Sequence, residues 1–417
     1  MTSSHHPSIK KLVKDHERWR DRCWNLIASE NLTSRAVTAL LANDLSHRYG
    51  DYEGTKLESR KYLGNHYIVE LEKACQAAGR ALFGAEHIDL RPLSGHIAGI
   101  APLLALASPG DAVLELNQEC GGHRLAGKMV NCPLIQIRSL PLPFDADQFN
   151  IDVPQTLKVI EKEKPRFVII GSSTFLFPHP VAALRQGIST LGTGTCLQYD
   201  ASHVLGLIAG RRFQNPLAEG ADLITSSTHK TLGGPQGGLV LTNSEAIAQA
   251  VGKALQPGLL SNHHLHRLPA LYQTFQEWSR RDGAEADQII QASRALAAAL
   301  DKFGVPMVAP HLGYTASHTI LAQTQPLGPA KDLARELEAA DIICGACRLP
   351  GKWGPEGIRL GTQEMVRRGM RAEDMEEVAA VLAGVLKRGL DCPSAKKRVN
   401  ALARKVAKRG RSEFQQG

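Results

Sequence analysis

The sequence lacks several features that would each place it in a special class of protein. It has no uninterrupted run of about 18 apolar residues, the length that a membrane-spanning helix requires. The longest apolar stretch, IAGIAPLLALASPGDAVLEL, is broken by two prolines and a charged turn. The first residues, MTSSHHPSIKK, lack the apolar segment of a secretory signal. Eight cysteines in 417 residues do not suit a small disulfide framework. We therefore expect a reduced, cytoplasmic protein with no membrane partner.

The sequence also lacks an excess of charge over most of its length. Its formal net charge is +8, but from Ser394 onward the tail carries eight basic residues against one acid, Glu413. The rest of the chain is therefore close to neutral. Such a tail is typical of a solvated helix or a disordered end rather than of a nucleic-acid site, so we expect no nucleic-acid partner.

What the sequence does contain is an alternation of short apolar runs with helical patterns. Runs rich in Val, Ile and Leu, such as DAVLELN, RFVIIGSS and GGLVLTN, are too short for helices. The segment YIVELEKACQAAGRALFG instead repeats apolar residues at helical spacing. This alternation predicts an α/β fold with a mostly parallel buried sheet and helices on both faces. In such sheets ligands bind at the carboxyl ends of strands.

The pattern changes near residue 266, where long helices become more frequent. We therefore expect a large domain over residues 51–265 and a smaller C-terminal α/β domain over residues 266–390. An N-terminal arm (1–50) and the basic tail (391–417) flank them.

A lysine lies within the glycine-rich stretch STHKTLGGPQGG. A phosphate-loop lysine directly follows a glycine, whereas His229 precedes Lys230, so that motif is excluded. Two interpretations of Lys230 remain open on the residues alone. It is a solvated lysine at a strand end, or a lysine that holds an aldehyde cofactor as a Schiff base. The second requires an amine whose pKa is lowered by desolvation and by neighbouring groups.

Other polar residues follow strands or open helices. Asp200, in LQYDASHVLGLIAG, is a helix N-cap or the carboxylate that pairs with a pyridinium nitrogen. Ser94 and Gly95 begin a helix and suit a phosphate, although small residues open many helices. His123, in CGGHRLAGK, stacks on a flat cofactor or caps a turn. Arg359 lies among apolar neighbours, where its guanidinium would require an anion such as a carboxylate.

Taken in order, these segments resemble the serine hydroxymethyltransferase family of fold-type I pyridoxal-phosphate enzymes. The resemblance extends over about residues 20–388 and is carried by LIASEN, SHRYGDY, PLSGHIAG, GGHRLAG, GSSTFLFP, YDASHVLGLIAG, SSTHKTLGGPQGG and EGIRLGT. FLFPHP and the Gln236 of GPQGG are more similar to the archaeal-type branch. The segments LPGKWGPEGIRLGTQEMVRRGM and SNHHLHRLPALYQTFQEW also resemble L-threonine transaldolases, as found in antibiotic pathways.

The resemblance implies a large domain with a seven-stranded sheet, and it implies a role for each matching residue. Lys230 would hold pyridoxal 5'-phosphate, Asp200 would pair with its pyridine nitrogen, and His203 would lie beside the ring oxygen. Arg359 would bind the substrate α-carboxylate. The other implied cofactor contacts are Ser94, Gly95, His96, His123, Ser173 and Ser227, and the other implied catalytic or substrate contacts are Tyr49, Asp51, Tyr62, His123 and His229.

Tyr49 and Asp51 match a Tyr-x-Glu motif that in this family reaches into the neighbouring subunit's site. The resemblance therefore implies a homodimer with shared sites. Asp51 stands where the family has a glutamate, Gln118 where it has a pterin-packing leucine, and Cys347 where it has an asparagine of its folate-binding segment. Residues 53–59 lengthen the loop, and Leu63 replaces a tyrosine. The amino-acid half of the site follows the family, whereas the half for tetrahydrofolate or a related pterin does not.

Two hypotheses for the activity follow. The first is a glycine/serine hydroxymethyltransferase with a tetrahydropterin carrier. The second is a folate-independent L-threonine transaldolase or aldolase that joins a glycine unit to a larger aldehyde. A third, a nucleic-acid-binding protein without enzymatic activity, would depend on the basic tail alone. The segments CGAC and SNHHLHRL are interpreted as a pocket wall and a structural segment, so no metal site is predicted.

Overall fold

The computed structural model describes residues 8–131 and 136–414. Its strands are β1 Trp24–Asn25, β2 His87–Asp89, β3 Ala112–Glu115, β4 Arg138–Pro141, β5 Phe144–Asp145, β6 Asn150–Ile151, β7 Phe167–Ile170, β8 Cys196–Asp200, β9 Leu223–Ser227, β10 Gly238–Thr242, β11 Thr319–Gln323, β12 Ile342–Ile343, β13 Gly345–Arg348 and β14 Glu356–Gly361.

Its α-helices are α1 Ile9–Arg20, α2 Arg35–Ala39, α3 His66–Phe83, α4 Gly95–Leu106, α5 Leu125–Met129, α6 Val153–Glu163, α7 Val181–Leu191, α8 Leu205–Ala209, α9 Glu245–Lys253, α10 Leu268–Arg281, α11 Ala284–Lys302, α12 Ala330–Ala339, α13 Gln363–Arg367, α14 Met375–Leu386 and α15 Cys392–Phe414. Shorter 3-10 turns cover Asp44–His47, Gln118–Cys120, Leu265–Arg267, Pro310–Leu312, Gly351–Trp353 and Ala372–Asp374, and a π turn covers Ala254–Leu259.

A seven-stranded sheet, in the order β2-β10-β9-β8-β7-β3-β4, forms the centre of the larger part of the chain. The strands from β9 to β4 are parallel, whereas β10 runs antiparallel to both β9 and β2. Every residue of β3, β7, β9 and β10 is buried. Strands covered on both faces read as short continuous apolar runs, which is why the sequence showed no alternation there. The predicted α/β fold with a mostly parallel sheet is confirmed.

Helices cover both faces of this sheet. On one face α4 packs against β9, β10 and α9, and Ala98 and Leu103 of α4 are fully buried. Elsewhere α3 packs against α10, and both contact α8. Trp278 of α10 is buried, and its indole Nε1 donates to the carbonyl of Leu232 at 2.7 Å. Helix α10 therefore stabilises the loop that follows β9.

A separate, three-stranded antiparallel sheet with the order β11-β14-β13 forms the centre of the C-terminal part of the chain. Helices α11 and α12 pack against its strands, and α14 packs against both helices. The N-terminal segment joins this region, because β1 pairs in parallel with β12, with Trp24 opposite Ile342 and Asn25 opposite Ile343.

The basic C-terminal segment forms α15, which packs against α12, α13 and α14. Part of its charge is paired: Arg398 contacts Glu377 at 2.9 Å, and Arg409 contacts Asp374 at 3.1 Å. Val399 and Val406 of the same helix are buried. In the part of the chain covered by the structure, no helix has both the length and the apolar character needed to cross a membrane.

Candidate active site

A cavity opens where the carboxyl ends of β7, β8 and β9 meet the N-terminus of α4. It is lined by Ser94, Gly95, His96, His123, Gly171, Ser172, Ser173, Asp200, Ser202, His203, Ser227, His229 and Lys230. Every residue that the sequence predicted as a cofactor contact lies on this wall. Their convergence follows from the parallel sheet, which brings the carboxyl ends of neighbouring strands to one edge.

Lys230 lies in the loop after β9, and its backbone is firmly held. Its carbonyl accepts hydrogen bonds from Asn31 Nδ2 at 3.0 Å and from the Gly233 amide at 2.9 Å. The next residue, Thr231, donates its hydroxyl to the His203 carbonyl at 2.8 Å. Burial lowers the pKa of the Lys230 amine, the Asp200 carboxylate opposes that shift, and the Arg359 cation adds to it. A lowered amine pKa is what nucleophilic lysine chemistry requires.

Asp200 ends β8 and faces the cavity. One carboxylate oxygen, Oδ1, accepts a hydrogen bond from the Ser202 amide at 2.9 Å. Gly171, at the end of β7, has a φ of +135°, and a side chain there would collide with the backbone of Asp200. A glycine is therefore required for the two strand ends to approach this closely.

The start of α4 forms a tight cradle. Ser94 caps the 12-residue helix, its Oγ accepting from the Ile97 amide at 3.2 Å. A Cβ on Gly95 would lie 2.9 Å from both the amide nitrogen and the Cβ of Ser227, and 3.2 Å from Ser202 Oγ. The absent side chain leaves the first amides of the helix open to the cavity, where an anion is favoured by the helix dipole.

Three histidines stand around Lys230 with ring nitrogens that lack protein partners. The Nδ1 atoms of His203, His229 and His318 are buried without a hydrogen-bond partner among the described residues. Burial, followed by the Lys230 cation, lowers the pKa of His203 well below its usual value and that of His229 to about 4. All three imidazoles are therefore neutral at physiological pH.

His318 was not singled out from the sequence. It lies just before β11, its ring stacks on His203 with centroids 5.8 Å apart, and burial lowers its pKa to about 3. Its Nε2 lies 3.1 Å from the Ala28 carbonyl and 3.0 Å from Thr319 Oγ1. The segment SHTILAQ indicates a strand but gives no sign of this contact, since Ala28 and His318 are distant in sequence. Gly171, Ser172 and Ser202 of the cavity wall were missed in the same way.

His123 lies at the mouth of the cavity. Its Nε2 is 3.3 Å from His96 Nδ1 and 3.2 Å from Lys128 Nζ. Although the ring remains accessible, desolvation by the surrounding protein and the Lys128 cation lower its pKa to about 4. His123 is therefore neutral at physiological pH and accepts from Lys128.

Arg359 lies in the middle of β14, opposite Leu321 of β11 and Gly345 of β13, and it contacts the cavity through the lining residue Ser173 without lining the cavity itself. Its Nη1 donates to the Ser173 carbonyl at 2.6 Å. No described carboxylate lies within 4.0 Å of the guanidinium, and burial lowers its pKa. A half-buried arginine without an acidic partner is ready to receive an anion.

Three further predicted site residues, Tyr49, Asp51 and Tyr62, do not line this cavity either. The rings of Tyr49 and Tyr62 meet edge to face with centroids 5.5 Å apart, and both side chains are about half exposed, at 54% and 48%. Asp51 has a buried Oδ1 without a protein partner among the described residues. The chain by itself does not bring this group to Lys230.

Two further departures from the family pattern, Gln118 and Cys347, lie on the two sides of a contact between the 3-10 turn Gln118–Cys120 and β13. Gln118 is exposed on the 3-10 turn Gln118–Cys120. Cys347 is on β13, and burial raises its thiol pKa to about 11. Arg348 of β13 bridges the two sides through an ion pair with Glu119 at 2.7 Å. The described residues contain no cluster of three or more histidine, cysteine or acidic side chains placed for a metal ion.

Comparison with known proteins identifies the family. A sequence model described as "Serine hydroxymethyltransferase" matches residues 2–382. The chain is 41% identical to the serine hydroxymethyltransferase of Methanopyrus kandleri over 387 residues, which are 91% of this chain and 88% of that protein. It is also 41% identical to that of Pyrobaculum calidifontis over 401 residues, 94% of this chain and 91% of the relative.

The chain belongs to the serine hydroxymethyltransferase family. The predicted resemblance is thereby confirmed, including its archaeal side. Among solved structures, the L-threonine transaldolase from Pseudomonas fluorescens superposes with a TM-score of 0.89 at 29% identity, covering 95% of this chain and 90% of the other. This serine hydroxymethyltransferase family member is therefore an enzyme of the pyridoxal-phosphate-dependent transferase class, of hydroxymethyltransferase or transaldolase type.

Proposed function

We propose that the chain binds pyridoxal 5'-phosphate and makes and breaks the Cα–Cβ bond of β-hydroxy-α-amino acids such as serine or threonine. One observation carries the proposal: Lys230 and Asp200 line one cavity, and the guanidinium of Arg359, which has no acidic partner among the described residues, donates to the carbonyl of Ser173 on the wall of that cavity. An amine, a carboxylate and a guanidinium are the three groups that an aldehyde cofactor and an amino acid need there.

The residues present fit the cofactor. The open amides at Ser94 and Gly95 suit its phosphate, Asp200 suits a protonated pyridine nitrogen, and Lys230 suits the aldehyde. The buried, unpartnered Nδ1 atoms of His203 and His229 leave polar capacity that a bound polar group can use. When bound, the cofactor supplies an electron sink for the electron pair released as the Cα–Cβ bond breaks.

The protein's part is orientation and proton transfer. Arg359 binds the α-carboxylate of the amino acid in two-point fashion and so fixes the rotation about the bond to its nitrogen. The lowered pKa of Lys230 lets its amine exist unprotonated, as exchange with the substrate amine requires. The β-hydroxyl loses its proton to Asp51, with Tyr49 and Tyr62 beside it.

That last step requires a second copy of the chain, because Tyr49, Asp51 and Tyr62 do not line the cavity of their own subunit. We infer a homodimer in which each subunit lends this group to the other site. Mixing two inactive variants, Lys230→Ala and Asp51→Ala, tests the inference. A mixed dimer then holds one unaltered site, and random exchange restores about a quarter of the original activity. A mixture that stays inactive despite subunit exchange would exclude site sharing.

A second candidate function differs only in the acceptor. In a transaldolase, threonine loses acetaldehyde as its Cα–Cβ bond breaks. The glycine unit then forms a new Cα–Cβ bond with another aldehyde, whose oxygen takes a proton and becomes the new β-hydroxyl. Gln118 and Cys347, which replace residues that the family uses for its carrier, and the likeness to the Pseudomonas fluorescens transaldolase favour this candidate.

The test compares donors with and without a carrier. The purified holoenzyme is incubated with L-serine or L-threonine in the presence and absence of tetrahydrofolate, and released aldehyde is measured. Serine cleavage that requires tetrahydrofolate supports the hydroxymethyltransferase and rejects the transaldolase. Carrier-independent acetaldehyde release from threonine, increased by a second aldehyde, does the reverse. Cleavage of neither donor would reject the proposed function as a whole.

A further inference from the structure

A second cavity adjoins the candidate active site and shares its wall. It is lined by Gln118, Gly122, His123, Arg124, Gly127, Lys128 and Ser173. His123 and Ser173 line both cavities, and Ser173 is the residue whose carbonyl holds Arg359. A molecule that enters this second cavity therefore meets the amino acid bound at Arg359.

The second cavity is basic. Arg124 and Lys128 belong to its lining, and no acidic residue does, among the residues that the structure describes. Both side chains are largely exposed, and no carboxylate in the described chain lies within 4.0 Å of either cation. Two basic side chains that line one cavity, with no acid among its described lining residues, favour the binding of an anion there.

The guanidinium of Arg124 is placed by the local backbone rather than left loose. Arg124 has a φ of +56°, a conformation disfavoured for arginine. A Cβ on Gly127 would lie 2.6 Å from Arg124 Nη2 and 2.7 Å from its Nε. The guanidinium therefore lies across the bare backbone of Gly127, against the cavity wall. A residue in a disfavoured conformation at a ligand cavity is a reason to ask for a function.

The acids nearest in sequence are already occupied. Glu115 is buried and accepts from the amides of Ala126 and Gly127, at 3.1 and 2.6 Å, and from Ser139 Oγ at 2.7 Å. Glu119 pairs with Arg348. Glu115 still acts on Lys128, and Glu119 on Arg124, through their charges, but no described carboxylate forms an ion pair with either cation, so both cations keep hydrogen-bonding capacity for a bound anion.

We propose that the acceptor of the glycine unit carries an anionic group, a carboxylate or a phosphate, which Arg124 and Lys128 bind. This inference rests on the proposed aldol function and names its substrate class. The carbonyl carbon of the acceptor lies toward His123 and Ser173, and its anion lies toward the outer cavity. Gln118 adds an amide for hydrogen bonding at the same rim.

Lys128 also has a local role, because its Nζ contacts His123. Removing Lys128 would alter His123 as well as the proposed anion site, so Arg124 is the cleaner residue to change. Asparagine tolerates positive φ better than most residues, which makes Arg124→Asn the suitable substitution. Arg211, exposed and with a φ of +55°, lies outside both cavities and gives the matched control Arg211→Asn.

The experiment uses holoenzyme, L-threonine as donor and pairs of acceptor aldehydes that differ in charge. 4-Formylbenzoate is compared with its methyl ester, and glycolaldehyde phosphate with glycolaldehyde, by kcat/KM for the new amino acid. We expect the anionic member to be preferred at least about tenfold, the worth of one charge-assisted hydrogen bond. Arg124→Asn should lower that preference about tenfold, and Arg211→Asn should leave it in place.

A binding measurement separates recognition from turnover. Calorimetric titration of the holoenzyme with 4-hydroxymethylbenzoate, which cannot react as an aldehyde, should show a Kd about tenfold lower than for its methyl ester. The difference should vanish in Arg124→Asn. The carboxylate and phosphate pairs show which anion is preferred, and a tetrahydrofolate arm shows whether a carrier is its source.

Equal kcat/KM for charged and neutral aldehydes, or a preference that survives Arg124→Asn, would overturn the inference. If acetaldehyde is still released from threonine in that case, the aldol function stands and only the acceptor class is wrong. If threonine and serine are not cleaved under any condition, the proposed function itself fails. A tetrahydrofolate KM that rises in Arg124→Asn, with no charge preference among aldehydes, would assign the anion to the carrier.

Discussion

The two halves of the candidate site are built differently. The donor half, comprising Lys230, Asp200, His203 and Arg359, sits at strand ends or within a strand and is largely desolvated. The acceptor half, comprising Gln118, Arg124 and Lys128, sits on a turn and a short helix and is exposed. The donor half is thus fixed by the sheet, and the acceptor half is carried by connections that can change without disturbing the core. Under the proposed function, the bond chemistry is set by the first half and the choice of substrate by the second.

The largest loss of activity is expected on removing Lys230, the residue of the donor half that would hold the cofactor. Replacing Lys230 with alanine should remove the yellow colour of the holoenzyme and lower threonine or serine cleavage by at least about a thousandfold, because the amine that holds the cofactor is lost. The visible spectrum and an aldehyde-release assay check this. Lys158→Ala, an exposed lysine on α6, is the control. Colour and activity that persist in Lys230→Ala would refute the assignment.

A substitution at Arg359 tests whether the substrate carboxylate is bound by a two-point contact or only by a nearby positive charge. Arg359→Lys keeps the charge but loses the two-point contact with the α-carboxylate, which is worth about 2–3 kcal/mol. We expect the KM for the amino acid to rise about 30- to 150-fold, with a smaller change in kcat. Steady-state kinetics with Arg211→Lys as control measure it. An unchanged KM would place the carboxylate elsewhere.

The buried histidines around Lys230 should make the free energy of unfolding depend on pH. His318 has a folded-state pKa of about 3, below that of an unfolded histidine, about 6.5. The folded state therefore holds fewer protons, and stability falls as the pH drops below about 6.5, by about 2 kcal/mol per such histidine between pH 7 and pH 5. Urea unfolding at both values should show His318→Gln with a weaker pH dependence, while His47→Gln, at an exposed position, keeps it. Equal dependence in both variants would contradict a neutral buried His318.

The smallest effect is expected at Cys347. Its thiol pKa of about 11 keeps it uncharged at neutral pH, so it acts by packing rather than as a nucleophile. Cys347→Ala should change acceptor kcat/KM by no more than about threefold, as expected for a small partly buried side chain. The ratio of variant to parent should be constant from pH 7 to 9. A pH-dependent ratio would indicate a thiolate in the reaction.

Residues of the donor half could be singled out from the sequence for a physical reason. Buried parallel strands are short apolar runs, and polar residues directly after them lie at the edge where ligands bind. Asp200, Ser173 and Lys230 were found in this way. Arg359 was found because a guanidinium among apolar neighbours needs an anion. The direction of β10 was not predicted, since nothing in GGLVLTN distinguishes a parallel from an antiparallel neighbour.

The acceptor half could not be predicted to the same extent. Arg124 and Lys128 stand in the quoted segment CGGHRLAGK, but an arginine and a lysine on a short exposed helix are ordinarily solvated. Only the fold shows that both face a cavity next to His123 and that the neighbouring acids are occupied. His318 depends on a contact between residues almost three hundred positions apart, which no local pattern encodes.

The pairing of β1 with β12 also affects the order in which parts of the chain can fold during synthesis. Trp19 and Asp341, which meet beside this pairing, are 322 positions apart. During synthesis from the N-terminus, Trp24 and Asn25 have no strand to pair with until residue 343 has left the ribosome. Asn31, a few residues after β1, is the side chain that holds the Lys230 carbonyl. The sheet can form early, whereas this hydrogen bond to the loop of the reactive lysine is fixed only after β12 has been synthesised.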